Sequence, residues 1–171
     1  MRITDTHIYF FSGNSKFSNF AITPFTYVIV KTSFLDDNTI TIKFQCSEQA
    51  YMYEKCMFFN QPEMAMQCIE ETNPTKVKKI GRSIPNFEQD KWNKFSFDVM
   101  YKICLQKFQG NEEAKKELID SGDKVLVEAS PYDKIWGVGL SELDDRILQE
   151  EYWEGENRLG KVLMKVRNKI K

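Results

Sequence analysis

Residues 47–55 read Ser-Glu-Gln-Ala-Tyr-Met-Tyr-Glu-Lys, and the predicted fold extends outward from them. The stretch from Glu48 to Phe59 contains no glycine or proline, so it predicts a helix of about three turns with its N-cap at Ser47. Glu48 and Lys55 are close to two turns apart and therefore share one face, which could bracket a sugar ring. A carboxylate that merely favours the helix N-terminus and a solvated lysine would give the same pattern. The spacing alone leaves both interpretations open.

Helices dominate the rest of the predicted fold. Upstream, two β-branched runs flank Asp36-Asp37-Asn38 and predict a hairpin. Downstream, glycine and proline predict five further helices. The first opens at Pro62, the second ends at Gly81, the third ends near Gly110 and the fourth covers Glu112 to Ser121. The last carries apolar residues at helical spacing from Leu159 to Val166. The run from Lys124 to Ala129 predicts a short buried strand. We expect an α+β fold in which residues 1–171 form a single helix-rich domain with a small antiparallel sheet.

The composition is that of a folded globular protein, with 42% hydrophobic and 29% charged residues. Because 24 Lys and Arg face 25 Asp and Glu, any contact with nucleic acid would come from a local patch, and tight non-specific DNA binding is not expected. No apolar run reaches the roughly 20 residues of a membrane span, and the N-terminus lacks a signal pattern. We expect no membrane partner and a cytoplasmic location, or a nuclear one in a eukaryote.

Several kinds of chemistry lack the residues that they need. His7 is the only histidine and lies near the N-terminus, so histidine-based nucleophilic or metal chemistry has no evident base or ligand. The four cysteines are irregularly spaced, which suits reduced thiols in a core better than disulfides or zinc. Glycine-rich phosphate loops are absent from the sequence. We therefore expect no metal or cofactor, and chemistry by carboxylates, amines, backbone amides and aromatic rings.

A predicted strand that runs into a loop forms a second candidate site. Residues 126–139 pass from an apolar strand to an acid, a tryptophan and two glycines, a common way to place polar groups at a pocket mouth. Trp136 could stack on a base or sugar while Asp133 accepts hydrogen bonds from hydroxyls. Equally, Trp136 could lie in the core and Asp133 could form a turn.

Two further positions suit phosphate binding. Asn157 begins the last predicted helix, where free amides and the nearby Arg158 would favour an anion, although a capped and solvated helix start is commoner. Arg82 follows the helix-ending Gly81 and could form a bidentate phosphate contact, while a surface arginine is the default expectation.

Short motifs occur in a fixed order along the chain: Phe17 to Phe20, Ser47 to Lys55, Gly81-Arg82, Trp92, Lys107-Phe108, Gly122-Asp123, Leu126 to Gly139 and Trp153 to Lys161. This ordered set resembles the NADAR domain family of YbiA-like N-glycosidases, and it covers essentially the whole chain. Cys56 and Ala21 depart from the family pattern. Neither position is polar or expected to be functional.

The resemblance implies a helix-rich α+β fold and metal-free hydrolysis of N-glycosidic bonds to ribose. Its implied substrates are ADP-ribose derivatives and ribosylated small molecules or nucleic acids. One branch of the family removes ADP-ribose from guanine bases, and another cleaves ribosylamino intermediates of riboflavin biosynthesis. The helix from Glu48 to Tyr53 is more similar to the ADP-ribose-directed members, so ADP-ribosylated DNA is the expected substrate.

The reaction assigns roles to individual residues. Ribosyl transfer passes through an oxocarbenium-like state, so Glu48 and Asp133 are candidates for the carboxylate near the anomeric carbon. Lys55, with its pKa lowered by burial, would act as acid or base or would trap the opened ribose as an imine. The expected ligand contacts lie in the matched motifs and are Asn19, Phe20, Tyr51, Arg82, Trp92, Trp136, Gly137 and Asn157.

Two alternatives from other functional classes compete with an enzyme. A non-catalytic ADP-ribose-binding module would keep the phosphate and aromatic contacts without needing Glu48 or Lys55. A purely structural interaction domain would leave the polar positions of four separate segments unexplained. Because both Glu48 and Lys55 are present, we expect an enzyme.

Overall fold

The computed structural model describes residues 1–13, 15–32 and 37–171, and the chain divides into two compact units. One unit contains Met1–Ala21 and Glu113–Lys171, and the other contains Ile22–Glu112. A single domain over residues 1–171 therefore stays a prediction. Within the described ranges, no helix is both long and apolar enough to cross a membrane.

Six α-helices and five strands occur among the described residues, which confirms the α+β class. The strands are β1 (Arg2–Ile3), β2 (His7–Phe10), β3 (Phe25–Thr32), β4 (Asp37–Phe44) and β5 (Val125–Glu128). The helices are α1 (Ser47–Phe58), α2 (Pro62–Glu70), α3 (Pro74–Arg82), α4 (Gln89–Gly110), α5 (Glu112–Asp120) and α6 (Arg158–Ile170). Two short 3-10 helices precede α6, at Asp145–Leu148 and Glu150–Tyr152.

Strands β3 and β4 form the small antiparallel sheet, with Phe25 opposite Phe44. Asp37 and Asn38 begin β4 and are not turn residues, while Asp36 lies outside the described residues. The other sheet has the order β1-β2-β5 and is mixed, because β1 is antiparallel to β2 whereas β2 is parallel to β5. The parallel pair was not predicted, since local sequence patterns cannot show which distant segments will pair.

Each unit has its own apolar core. In the unit of the mixed sheet, a buried cluster comprises Tyr9, Val127, Ala129, Val138, Leu140 and Ile147. Helix α6 buries the apolar positions predicted at helical spacing, Leu159, Val162, Leu163 and Val166. In the other unit, the ring of Phe44 lies 5.6 to 6.3 Å from the rings of Phe25, Tyr27 and Tyr53.

Several helix boundaries differ from the predicted ones by one residue, among them the ends of α1 at Phe58 and of α5 at Asp120. Helix α1 begins at Ser47, so its N-cap is Cys46, and no side chain caps it. Helix α3 continues through Arg82, which is helical and does not follow a helix-ending glycine. At its other end the Asn73 side chain accepts hydrogen bonds from two backbone amides and fixes the start of α3.

Candidate active site

Helix α1 is buried on most of its surface, and several of its buried side chains are polar. Glu48, in the first turn, and Lys55, in the last, are each less than a tenth exposed. The first turn suits a carboxylate because unpaired backbone amides and the helix dipole favour negative charge there. Gln49 has a structural role. Its Oε1 accepts a hydrogen bond from the Gln45 backbone amide, and its Nε2 donates to two carbonyl groups at the end of α2.

Lys55 lies under an aromatic ring and against the end of α3. Its Nζ donates a hydrogen bond of 3.0 Å to the carbonyl oxygen of Gly81 and lies 3.8 Å from the ring centroid of Phe87. Burial lowers the pKa of Lys55. The charges of Cys56 and Glu48 oppose this shift, and Arg82 makes a smaller contribution that lowers the pKa further. A lowered pKa increases the neutral fraction of the amine near neutral pH, as a base or nucleophile requires.

Gly81 is the residue that lets α3 approach α1. A Cβ atom at this position would overlap the side chain of Met52, so a larger residue would force Met52 or the helix to shift. The next residue, Arg82, is exposed in the last turn of α3. An exposed guanidinium beside a buried amine is well placed to meet an anionic part of a substrate.

Tyr51 and Trp92 form a buried pair. The indole Nε1 of Trp92 donates a hydrogen bond of 2.7 Å to the Tyr51 hydroxyl, and the ring centroids lie 5.4 Å apart. This bond satisfies the only polar atom of the Trp92 side chain. The pair joins α1 to α4. Direct ligand contacts by Tyr51 or Trp92 stay predictions.

In the unit of residues 1–21 and 113–171, Asp133 organises the loop that follows β5. Its Oδ1 accepts hydrogen bonds from the amides of Ile135 at 2.9 Å and Trp136 at 2.8 Å, which is the turn-forming arrangement. Trp136 is only half-buried, so it is not a core residue. A Cβ atom on Gly137 would come within 2.8 Å of the Glu128 carbonyl oxygen, so this position requires glycine.

The start of α6 is bound to the same loop through its backbone. The amides of Asn157, Arg158 and Leu159 donate to the carbonyl oxygens of residues 137, 135 and 136, respectively. The expectation that these amides are free for a phosphate is wrong, because the loop carbonyls already occupy them.

The side chain of Asn157 is engaged as well. Asn157 adopts the left-handed conformation, with φ of 52°. Its Oδ1 accepts from the Glu128 amide at 3.1 Å, and its Nδ2 donates to the Leu126 carbonyl at 2.9 Å. Asn157 therefore ties α6 to β5, and a ligand contact by it stays a prediction.

Asn19 presents a buried acceptor. The residue is 8% exposed, and no group among the described residues donates a hydrogen bond to its buried Oδ1. A buried polar atom without a partner is costly unless a ligand or water satisfies it, which fits the predicted ligand contact. The neighbouring Phe20 is half-buried.

Three buried charged residues were not predicted as candidates. One of them, Arg167 on α6, donates hydrogen bonds to the Ser121 hydroxyl and the Lys124 carbonyl oxygen. Lys107 is fully buried in α4, and Glu128 is 9% exposed at the end of β5. The signal for Lys107 was its position at helical spacing from the buried residues Trp92, Met100 and Ile103. A lysine on the buried face of a helix is therefore a candidate functional residue, as is an acid at the end of a strand.

Each unit offers distinct chemistry. The unit of residues 22–112 supplies a buried carboxylate and a buried amine on α1 and an exposed guanidinium at Arg82. The other unit supplies the Asn19 amide, the Asp133 carboxyl and the Trp136 indole. Among the described residues, no three His, Cys, Asp or Glu side chains gather closely enough to hold a metal ion.

Comparison with known proteins gives consistent matches. A model of the NADAR domain matches residues 9–171. The chain is 41% identical over 172 residues to Protein irg-1 of Caenorhabditis elegans, covering 98% of this chain and 81% of that protein. It is 32% identical over 164 residues to N-glycosidase R617 of Acanthamoeba polyphaga mimivirus, covering 96% of each. The NMR structure of the Escherichia coli protein YbiA has the same fold, with a TM-score of 0.71 at 24% identity over 98% of this chain and 86% of that chain.

Proposed function

Because this chain belongs to the NADAR domain family and is a hydrolase of N-glycosyl bonds, we propose that its substrate is ADP-ribosylated guanine in nucleic acid. The reaction would cleave the bond between the ribose anomeric carbon and the guanine nitrogen, releasing ADP-ribose and restoring the base. One observation carries the proposal: the buried Lys55 amine lies under an aromatic ring and beside Arg82. An amine, an aromatic face and a guanidinium suit a ribose that carries a ring and a diphosphate.

Glu48 has an electrostatic role in this mechanism. Cleavage of the ribosyl bond develops positive charge on the anomeric carbon, and a carboxylate fixed in a buried site stabilises that charge more than one in water. Glu48 is buried in the first turn of α1, and the Gln49 side-chain nitrogen holds α1 against the end of α2.

Lys55 has a covalent role. The ribose ring opens as the proton on the guanine nitrogen moves to the ring oxygen, which leaves a C=N bond between that nitrogen and the anomeric carbon. The neutral amine of Lys55 adds to this carbon, both of its protons pass to the guanine nitrogen, and guanine leaves as the free amine, which gives an imine between Lys55 and ribose. Water then hydrolyses the imine, so the lysine amine is regenerated and ADP-ribose leaves with the oxygen atom from water.

The unit of residues 1–21 and 113–171 carries its own candidate contacts. Asp133 shapes the loop through Oδ1, and its second oxygen accepts hydrogen bonds from ribose hydroxyls. Trp136 offers a half-buried indole face, and Asn19 offers an acceptor to the ligand. Asp133 is also the second candidate for the catalytic carboxylate.

The four cysteines are buried and free, which supports a cytoplasmic or nuclear setting.

A substrate panel tests the proposal. The four substrates are DNA with ADP-ribosylated guanosine, DNA with ADP-ribosylated thymidine, an ADP-ribosylated protein and a ribosylaminopyrimidine. We expect free ADP-ribose and restored guanine from the first substrate alone. Cleavage of the ribosylaminopyrimidine alone would move the chain to the riboflavin branch. Binding of ADP-ribose without turnover on any substrate would indicate a non-catalytic module.

A further inference from the structure

An exposed aromatic ring on α1 and another on α4 adjoin two half-buried rings. Phe58 is 39% exposed and Phe95 is 50% exposed, and their ring centroids lie 5.2 Å apart. Phe59 lies 5.1 Å from Phe58, and Phe87 lies 5.0 Å from Phe59. We call Phe58, Phe59, Phe87 and Phe95 the aromatic surface. Large apolar side chains exposed side by side are unusual unless they bind something.

The aromatic surface is continuous with the proposed catalytic lysine. Phe87, at one end, covers Lys55, whose Nζ lies 3.8 Å from the ring centroid. From there each ring contacts the next, ending at the exposed ring of Phe95. A ligand that reaches Lys55 along this route would meet aromatic rings at spacings of about 5 Å, within the range of aromatic stacking.

The rings rest on a rigid base. Trp92 lies beneath them, with its ring centroid 5.3 Å from that of Phe58 and 6.5 Å from that of Phe59. The hydrogen bond from Trp92 to the Tyr51 hydroxyl fixes the indole. A preorganised surface loses little conformational freedom when a ligand binds.

The charges around the aromatic surface are mixed. Lys91 lies one helical turn before Phe95 on the same face, and Lys94 directly precedes Phe95; both lysines are exposed. At the other end, the charge of Arg82 acts on Lys55. Glu88 pairs with Lys91 at 3.1 Å and reduces the net positive charge. Asp98 is exposed one helical turn after Phe95, so the surrounding charges are close to balanced. The rings themselves suit flat bases, because every base has a face that can stack on an aromatic ring.

We propose that the aromatic surface stacks the unpaired bases next to the modified nucleotide, so that this N-glycosidase acts on single-stranded nucleic acid. The inference rests on the proposed function, because it places the substrate strand beside Lys55. Bases in a duplex already stack on one another, so only an unpaired strand can offer its base faces to Phe58 and Phe95. Since stacking dominates and the charges are mixed, affinity should fall only gently with added salt.

Binding of a fluorescently labelled, unmodified oligothymidylate tests the inference by fluorescence anisotropy. Phe58→Ala and Phe95→Ala should each weaken binding at least about fivefold, as expected when one stacking partner is lost. Phe58→Tyr keeps a ring and should bind like the unmodified protein. Tyr152→Ala removes an aromatic residue that is 48% exposed elsewhere in the chain and should change nothing.

Phe95→Leu separates base stacking from general apolar contact, because leucine keeps an apolar side chain but has no ring. It should bind the oligonucleotide about as weakly as Phe95→Ala. Three results would each overturn the inference. They are wild-type affinity in Phe95→Leu, wild-type affinity in both alanine variants, and no binding of the oligonucleotide by the wild-type chain. The substrate panel tests the proposed function separately. If the chain binds the oligonucleotide but releases no ADP-ribose, only the proposed function is overturned. If it releases ADP-ribose from an oligonucleotide substrate and the Phe58 and Phe95 variants do so equally well, only this inference is overturned.

Discussion

The carbonyl oxygen of Gly81 accepts a 3.0 Å hydrogen bond from Nζ of Lys55. This carbonyl belongs to the last turn of α3, where unpaired carbonyl groups carry partial negative charge and attract cations. The bond therefore favours the ammonium form, whereas burial of Lys55 lowers its pKa and favours the neutral amine. The two effects act on Lys55 in opposite directions, and Gly81 supplies one of them through its carbonyl group.

Gly81→Ala should destabilise the protein by about 1 to 3 kcal/mol, because the new methyl group would overlap the Met52 side chain. Combining it with Met52→Ala should cost less than the sum of the two single changes, since the truncation makes room for the methyl group. Chemical denaturation of the four proteins measures the coupling. Strictly additive free energies of unfolding would contradict this contact.

Glu48→Gln keeps the shape of the side chain and removes its charge. Turnover of the cleaved substrate should fall by about two orders of magnitude or more, while the circular dichroism spectrum stays unchanged. Glu63→Gln, at an exposed position of α2, is the matched control and should retain full activity. Normal turnover in Glu48→Gln would shift the electrostatic role to Asp133.

Borohydride added during turnover should leave a stable adduct on the peptide that contains Lys55, because it reduces an imine to an amine. Lys55→Arg should abolish both the adduct and the turnover, since a guanidinium stays protonated. Lys116→Arg, on α5, should retain both. Mass spectrometry locates the adduct. If Lys55→Arg remains active and unlabelled, Lys55 only positions the substrate, and water attacks directly with help from Glu48.

The stability of the chain should depend on pH through Lys55. Because burial lowers the pKa of Lys55 in the folded state, the unfolded chain binds more protons between the lowered pKa and the ordinary value. In that window the contribution of Lys55 to the free energy of unfolding rises with pH. Measured against Lys55→Met, the wild-type chain should gain relative stability as the pH rises towards the ordinary lysine pKa of about 10. A constant difference would show that Lys55 is not desolvated.

Arg82→Ala should weaken ADP-ribose binding roughly tenfold or more, because a guanidinium can form two hydrogen bonds to a phosphate. The melting temperature should hardly change, since Arg82 is exposed. Lys79→Ala removes a like charge one turn earlier in α3 and serves as the control. Equal affinities by isothermal titration calorimetry would place the diphosphate elsewhere.

Much of the fold was predictable because it depends on local signals. Proline and glycine fixed the starts and ends of helices such as α2 and α4, and helical spacing identified the buried face of α6. The parallel pairing of β2 with β5 was not predictable, since it joins segments that are distant in sequence. Pairing of that kind depends on the packing of the whole unit.

The candidate site was predictable in residue type but less so in role. Burial of Glu48 and Lys55 agrees with a functional α1, but the spacing alone could not exclude solvated side chains. At the start of α6, by contrast, the sequence predicted free backbone amides that the structure does not have. Nothing in the sequence indicated that the carbonyl oxygens of residues 135–137 would occupy its amides, because that contact depends on the path of the loop.

Strand β5 lies at the edge of its sheet, where unpaired backbone groups could recruit a strand from another molecule. The Asn157 carboxamide covers this edge by pairing with the Glu128 amide and the Leu126 carbonyl, and the Val138 amide takes the Glu128 carbonyl. A side chain thus occupies the place that a neighbouring strand would take. Asn157 protects the protein against aggregation by strand addition at this edge, whatever its contribution to the ligand.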